Sequence, residues 1–332
     1  MPVNTDDYTL AVVCAMAKEL DPVLALFDVP TTSYNKKGDV NIYHLGVLAG
    51  HNTVVVAPGK GELTAGLCAD RLQVCFTKIE LTFLVGICAT MPSNPETKQH
   101  IYLGDVIVGT RVWRPLSNSR ISDLGVTEGV DFEIRNLQAE NASEKVKQIG
   151  LLLGTKTFRK SISDASATLL QHYQDEDNDY AYPGYNADQR ADPNCVHRHS
   201  GVDSGCSCFA QGQDSCKDAK EASCEKLGCQ IARTRTGNDA QPPRPTIHVG
   251  TMASSDMVMR AVPRYEAAFR EHNVVGIDME GGGVSHVTDC IVVKGAVDYG
   301  DSHKNKRFGD YAAATAAIAT KGILETFFRG ST

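Results

Sequence analysis

Three short runs of this chain are apolar without alternation: "YTLAVVCAM" from Tyr8, "LTFLVGICA" from Leu81 and "CIVVKGAVD" from Cys290. A strand with one wetted face alternates apolar and polar residues. A continuously apolar strand is buried on both faces, and that needs a sheet with helices on each side. Helical spacing follows such runs in "KELDPVLALF", in the Gly-opened "GKGELTAGLCADRLQVCF", over 141–173, and in the Ala-rich "YAAATAAIATKGILETFF". "YHLGVLAGHNTVVVAPG" reads as a hairpin turning at His51-Asn52, and "LGDVIVGTRVW" as a further strand. This alternation predicts an α/β fold around a mostly parallel sheet.

From about Asp175 to Pro245 the rhythm stops. This stretch is rich in Asp, Asn, Gly, Gln, Ser and Cys and has almost no periodic apolar pattern. So long a polar segment is unusual inside a compact domain. It reads as a partly mobile insertion, at about 175–245, in a single catalytic domain spanning 8–330. The net charge of −7 over 332 residues argues against a nucleic-acid partner. No apolar stretch approaches the roughly 18–20 residues of a membrane span. The start, "MPVNTDDYTL", has no basic segment leading into an apolar one, so a cytoplasmic location is expected.

Eleven cysteines are unevenly placed. Cys14, Cys68, Cys75, Cys88 and Cys290 sit in apolar surroundings and read as small buried hydrophobes. Cys195, Cys206, Cys208, Cys216, Cys224 and Cys229 crowd the polar segment, beside His197 and His199. Their spacing contains no Cys-x2-Cys pair, so reduced thiols rank first, disulfides second and zinc last. No metal or cofactor is expected.

Three acidic residues follow apolar runs, where open α/β sheets place their ligands: Glu19, Glu280 and Asp298. Each taken alone is more simply a helix cap or a loop charge, but three equivalent ends suggest a shared pocket. "PGKGE" matches neither the Walker nor the dinucleotide pattern, and plain turn chemistry is its better reading. In "DYGDSHKNKRF", Asp301 is placed to support Asp298. Lys304, Lys306 and Arg307 read as surface residues or contacts to a second subunit.

"VVCAMAKEL", "VGICAT", "YLGDVIV", "GTMASSDMVM", "GIDMEGGGVSH" and "VVKGAVDYGDSHKNKRF" occur in that order. Together they resemble the purine nucleoside phosphorylase and methylthioadenosine/adenosylhomocysteine nucleosidase superfamily, particularly its fungal phosphorylase-like subgroup. The likeness covers 8–116 and 246–328, weakens over 117–173 and nearly vanishes in the insertion. It implies a three-layer fold whose mixed, partly barrel-like sheet is flanked by helices. It implies cleavage of the N-glycosidic bond of purine nucleosides by a metal-independent homodimer or higher homo-oligomer. By the same resemblance Met279 and Glu280 hold the ribose, beside Asp278, and Asp298 protonates N7 of the leaving base. Val258 and Met259 line the base, and Gly86 approaches the ribose or the nucleophile.

Phosphorylases of this superfamily carry an arginine before the Val-Gly pair and a hydroxyl residue after it. This chain has Leu84 and Ile87 there, so a phosphate dianion would meet aliphatic groups and no bidentate donor. "AMAKE" resembles the nucleosidase signature, in which a glutamate at the position of Glu19 activates water. The expected reaction is therefore hydrolysis of adenosine, with inosine and guanosine as further substrates, by water that Glu19 and Glu280 position and activate. A phosphorylase drawing its phosphate ligands from Lys60, the insertion or another subunit stays open. So do a methylthioadenosine/adenosylhomocysteine nucleosidase and a non-catalytic nucleoside sensor, although no P-loop accompanies the domain here.

Overall fold

The computed structural model describes residues 3–116, 133–135, 144–176, 178–192, 195–199, 206, 208, 215–238, 241–255, 269–304 and 306–328. The first apolar run is β1 (Leu10–Cys14), which leads directly into α1 (Ala17–Ala25). A meander follows, β2 (Thr32–Tyr34), β3 (Tyr43–Leu48) and β4 (His51–Val56), and then α2 (Glu62–Cys75). The second run is β5 (Leu81–Thr90), followed by β6 (Val106–Leu116), β7 (Glu133–Arg135), α3 (Glu144–Leu153) and α4 (Lys156–Glu176). After the polar segment come β10 (Ile247–Ser254), β11 (Val274–Asp278), α7 (Gly281–Val287), the third run as β12 (Cys290–Asp298), and α8 (Gly309–Phe327).

The sheet runs β11-β10-β6-β12-β5-β1-β4-β3-β2, and β11 also pairs with β5. That extra pairing, Gly276 opposite Thr90 and Ile277 opposite Ala89, closes β5, β12, β6, β10 and β11 into a barrel. The remaining strands extend from its side as an open sheet. The sheet is mixed, as the motifs implied, rather than mostly parallel. β1–β4, β1–β5, β5–β12, β6–β10 and β10–β11 are parallel, whereas β6–β12 and β5–β11 run antiparallel.

The unbroken apolar runs are explained by two cores, one on each face. Val12, Phe83, Val85 and Val293 pack with Ile162 of α4 and Ala314 and Ile318 of α8. Their strand neighbours Val13, Leu84 and Val292 pack on the opposite side with Ala65, Ala69 and Leu72 of α2. Each large apolar side chain fully buried in this way contributes about 1.5–3 kcal/mol. The alanines of α8 let its backbone approach β12 so closely that a Cβ at Gly295 would overlap the Ala312 carbonyl.

Two further sequence expectations need correcting. The hairpin turns at Ala49-Gly50, not His51-Asn52; both turn residues have positive φ, 51° and 78°, and His51 pairs with Leu48. Two successive left-handed residues suit the twist of a two-residue hairpin. The polar segment also holds more structure than its composition suggests. Its described part contains β8 (Gln189–Ala191) paired antiparallel with β9 (Ile231–Arg233), and the short helices α5 (Lys217–Glu221) and α6 (Cys224–Leu227).

Candidate active site

Glu19 lies at the third position of α1. Its carboxylate turns back to the strand–helix junction, where Oε2 accepts from the N–H of Ala15 at 2.8 Å and of Met16 at 2.9 Å. Oε1 accepts from the N–H of Ile87 in β5 at 2.8 Å. The bland reading of a helix-start acid is thus partly true, since Glu19 does cap α1. The bond to Ile87 goes further and fixes the carboxylate across to the neighbouring strand. A carboxylate offers about four acceptor sites, so one remains on Oε1. Glu19 is 1% exposed. Burial raises its pKa, against the pull of the Lys294 ammonium and the Ile87 N–H; Glu280 adds to the rise. Gly86 makes the arrangement possible, because a Cβ there would overlap the Glu19 carboxylate.

The residue the sequence reading missed is Lys294. The β5–β12 register places it directly beside Gly86. It is fully buried, and its Nζ donates to Glu280 Oε2 at 3.5 Å. Despite burial, which alone would favour a neutral amine, its pKa is held above the ordinary value by Glu19, Glu280 and Asp278, in that order. The signal was present in the sequence: a lysine inside "CIVVKGAVD" has no place in a strand buried on both faces unless carboxylates meet it.

Glu280 occupies the N-cap position of α7, yet its side chain makes no capping bond. The helix end is served by others. Asp278 accepts from the Gly281 N–H at 3.0 and 3.2 Å, and Ser254 Oγ accepts from the Gly282 N–H at 2.8 Å. Glu280 is thereby left to face Lys294 and the Gly61 N–H, which donates to its Oε1 at 3.3 Å. "PGKGE" therefore brings a backbone donor to a protein carboxylate, while Lys60 itself is exposed. Burial pushes the Asp278 carboxyl up to about 6, with Lys294 opposing and Glu280 adding.

Asp298 ends β12 just after a register shift between Ala296 and Asp298. Its Oδ1 accepts from the Gly300 N–H at 2.8 Å and pairs with Lys304 Nζ at 3.0 Å. Lys304 is therefore the counter-charge of Asp298. Asp301 is buried and accepts from the His303 N–H at 2.8 Å, which ties up the same loop. Ile87, Met279, Val297 and Asp298 are half-buried, each at the edge of otherwise buried sequence. Val258 and Met259 lie outside the described residues.

The structure thus gathers Glu19, Glu280 and Asp278 around one ammonium, with Gly86 and Ile87 beside them. Asp298 stands four residues further along the strand that carries Lys294. Three carboxylates against one ammonium make a site of net negative character. Such a site accepts protons and stabilises positive charge, and it repels a dianion.

No protein-family model matches the chain. By sequence it is 24% identical over 328 residues to a nucleotide-binding leucine-rich repeat (NLR)-like protein of Hyaloscypha variabilis. That match takes in 96% of this chain and 29% of the other, so the chain spans less than a third of that relative's length. By structure it resembles futalosine hydrolase of Helicobacter pylori, with a TM-score of 0.52 at 14% identity over 96% of this chain and 98% of that one. A mutant Helicobacter pylori MTAN with 5′-methylthioadenosine in its active site superposes with a TM-score of 0.53 at 13% identity, over 96% and 98%. The 5′-methylthioadenosine/S-adenosylhomocysteine nucleosidase of Neisseria meningitidis, in complex with methylthio-immucillin-A, gives 0.51 at 13%, over 96% and 99%. The fold is therefore the nucleoside phosphorylase-like fold that the motifs implied.

Proposed function

We propose that the protein is a purine nucleosidase, which hydrolyses the N-glycosidic bond of purine ribonucleosides to free base and ribose. The observation that carries this reading is the Glu19 carboxylate, buried and fixed by three backbone N–H groups beside Gly86 and Ile87. In this reading its remaining lone pair accepts a proton from water as the water oxygen bonds to the anomeric carbon. The bond from that carbon to the purine nitrogen breaks, and its electron pair leaves with the base. The base takes a proton at N7 from Asp298. Glu280, oriented by Lys294, accepts from the ribose hydroxyls beside Met279 and stabilises the positive charge that builds on the sugar. Asp278 supports this arrangement from the α7 end. Proton donation by Asp298 requires its carboxyl form, so Lys304 has to yield Oδ1, or Oδ2 has to serve.

The same site disfavours phosphate. Like charges about 4 Å apart cost about 4 kcal/mol at an effective dielectric near 20, and Leu84 and Ile87 supply no compensating donor. One observation favours a second reading. The chain matches a segment amounting to 29% of an NLR-like protein, so the domain would serve in a larger protein as a nucleoside sensor.

One substrate panel separates the two. The protein is incubated with adenosine, inosine, guanosine and 5′-methylthioadenosine, and free base is measured by chromatography for wild type and for Glu19→Gln. Hydrolysis predicts base release that Glu19→Gln lowers by about 10²-fold or more, the scale of a lost general base. Binding of a nucleoside without base release would replace the enzyme by the sensor.

We also propose a homodimer. α2 buries Ala65, Ala69 and Leu72 but exposes Leu63, Leu67 and Val74, and Leu67 lines one surface groove with the exposed Val40 and Ile42.

A further inference from the structure

The six cysteines of the polar segment do not pair. All eleven cysteines of the chain are free thiols. Instead five of the six, all but Cys195, meet histidines in two sets of four. His197, Cys224, Cys229 and His303 form one, and His199, Cys206, Cys208 and Cys216 the other. Within each set the donor atoms all lie within 4.8 Å of one another.

The nitrogen-to-sulfur distances match those of a tetrahedral zinc site. Zinc bonds sulfur at about 2.3 Å and imidazole nitrogen at about 2.0–2.1 Å, so a tetrahedral site has N···S edges of about 3.6 Å. In the first set Cys224 Sγ lies 3.5 Å from His197 Nδ1 and 3.4 Å from His303 Nδ1, and Cys229 Sγ lies 3.6 Å from His197 Nδ1. In the second, His199 Nδ1 lies 3.3 Å from Cys208 Sγ and 3.6 Å from Cys216 Sγ.

The surroundings point the same way. His197 Nε2 lies 3.0 Å from the Ala222 carbonyl, and His303 Nε2 lies 2.9 Å from the Cys195 carbonyl. Those carbonyls hold the proton on Nε2 and leave each Nδ1 lone pair aimed at the thiols, which is how proteins orient metal-binding imidazoles. Backbone N–H groups of Cys208 and Ala219 donate at 3.4 Å to the sulfurs of Cys206 and Cys216, which suits thiolates. A disulfide has no use for either feature. The segment also needs a staple, because among the described residues its buried apolar cluster is Cys208, Ala219 and Leu227, with only small or half-buried groups packed against it. So small a core does not hold a fold by itself.

We infer that the protein binds two structural zinc ions, one in each Cys/His set. Each set supplies four protein ligands, so the sites are closed and structural rather than catalytic. The first is also a clamp. Three of its ligands come from the polar segment, but His303 comes from the loop after β12, five residues beyond Asp298. His197 N–H donates to Ser302 Oγ at 3.0 Å in the same place. Zinc in this site fastens the polar segment to the loop that follows Asp298. The metal sites stand whether or not the chain is a nucleosidase.

The test uses the full chain, purified without a polyhistidine tag under reducing conditions. Zinc is measured by plasma mass spectrometry and cysteine oxidation by intact mass. Two zinc ions per chain are expected, with no disulfide. Cys208→Ser and His303→Ala should each lower the content to one, and His303→Cys should restore the second. Should any variant fold poorly, cobalt exchanged into wild type reports directly, through the absorption of tetrahedral thiolate-bound cobalt. Amide exchange over 298–303 should rise in His303→Ala and stay unchanged in Cys208→Ser. Folded wild type that carries no zinc, or a mass showing disulfides among these six cysteines, would overturn both sites. Equal exchange in the two variants would overturn the clamp.

Discussion

In the proposed mechanism Glu19 carries two duties, and a mutation separates them poorly unless both are measured. Its oxygens accept three N–H groups, so Glu19→Gln turns an amide NH2 toward at least one donor. Leaving a buried donor without an acceptor costs about 1–3 kcal/mol, and the urea midpoint should fall accordingly while the fold persists. Gly86→Ala tests the same carboxylate from the other side. Its Cβ pushes on Glu19, and a catalytic group misplaced by about 1 Å costs about 10²-fold. Base release should drop by that order with far-UV circular dichroism unchanged. Lys294→Met leaves buried carboxylates without their cation, so it should destabilise by about 3–5 kcal/mol in urea unfolding. Glu19 was legible because an abrupt charge ends an apolar run. Lys294 was equally visible in "CIVVKGAVD" but was read as part of a strand rather than as a charge demanding partners.

At the scale of elements, the end of α7 is where pH should act. The Asp278 carboxyl sits at about 6 in the folded protein, above its ordinary 3.8, chiefly through burial. Between those values the folded state holds more protons than the unfolded one. Its contribution is fully present below about pH 4 and is lost as pH rises through about 6. A shift of this size is worth up to about 3 kcal/mol. Asp278→Asn should therefore flatten the fall in urea midpoint between pH 4 and 7 relative to wild type. The main strands and helices were legible from their apolar periodicity; the short, polar β2, β8, β9, α5 and α6 were not. The closure of β5 against β11 was not, since two residue pairs far apart in sequence make it. The hairpin turn was misplaced because Ala49, not an Asn or Gly, takes the first left-handed position.

Taken whole, the molecule is a nucleoside phosphorylase-like fold carrying a segment that the same sequence reading understood least. Cysteine spacing ranked zinc last because the ligands do not come in adjacent pairs. His303 lies nearly eighty residues beyond Cys224, so only the folded chain brings them together. The proposed dimer is checked by light scattering, which should give twice the 35.8 kDa chain mass. Leu67→Glu, on the exposed face of α2, should return the monomer. The central claim is that Glu19 directs water, not phosphate, to the sugar. The most direct measurement follows adenosine turnover in phosphate-free buffer and at rising phosphate, with ribose and ribose-1-phosphate quantified separately. A water-using site predicts free ribose at an unchanged rate throughout. Turnover that depends strictly on phosphate and yields ribose-1-phosphate would contradict it.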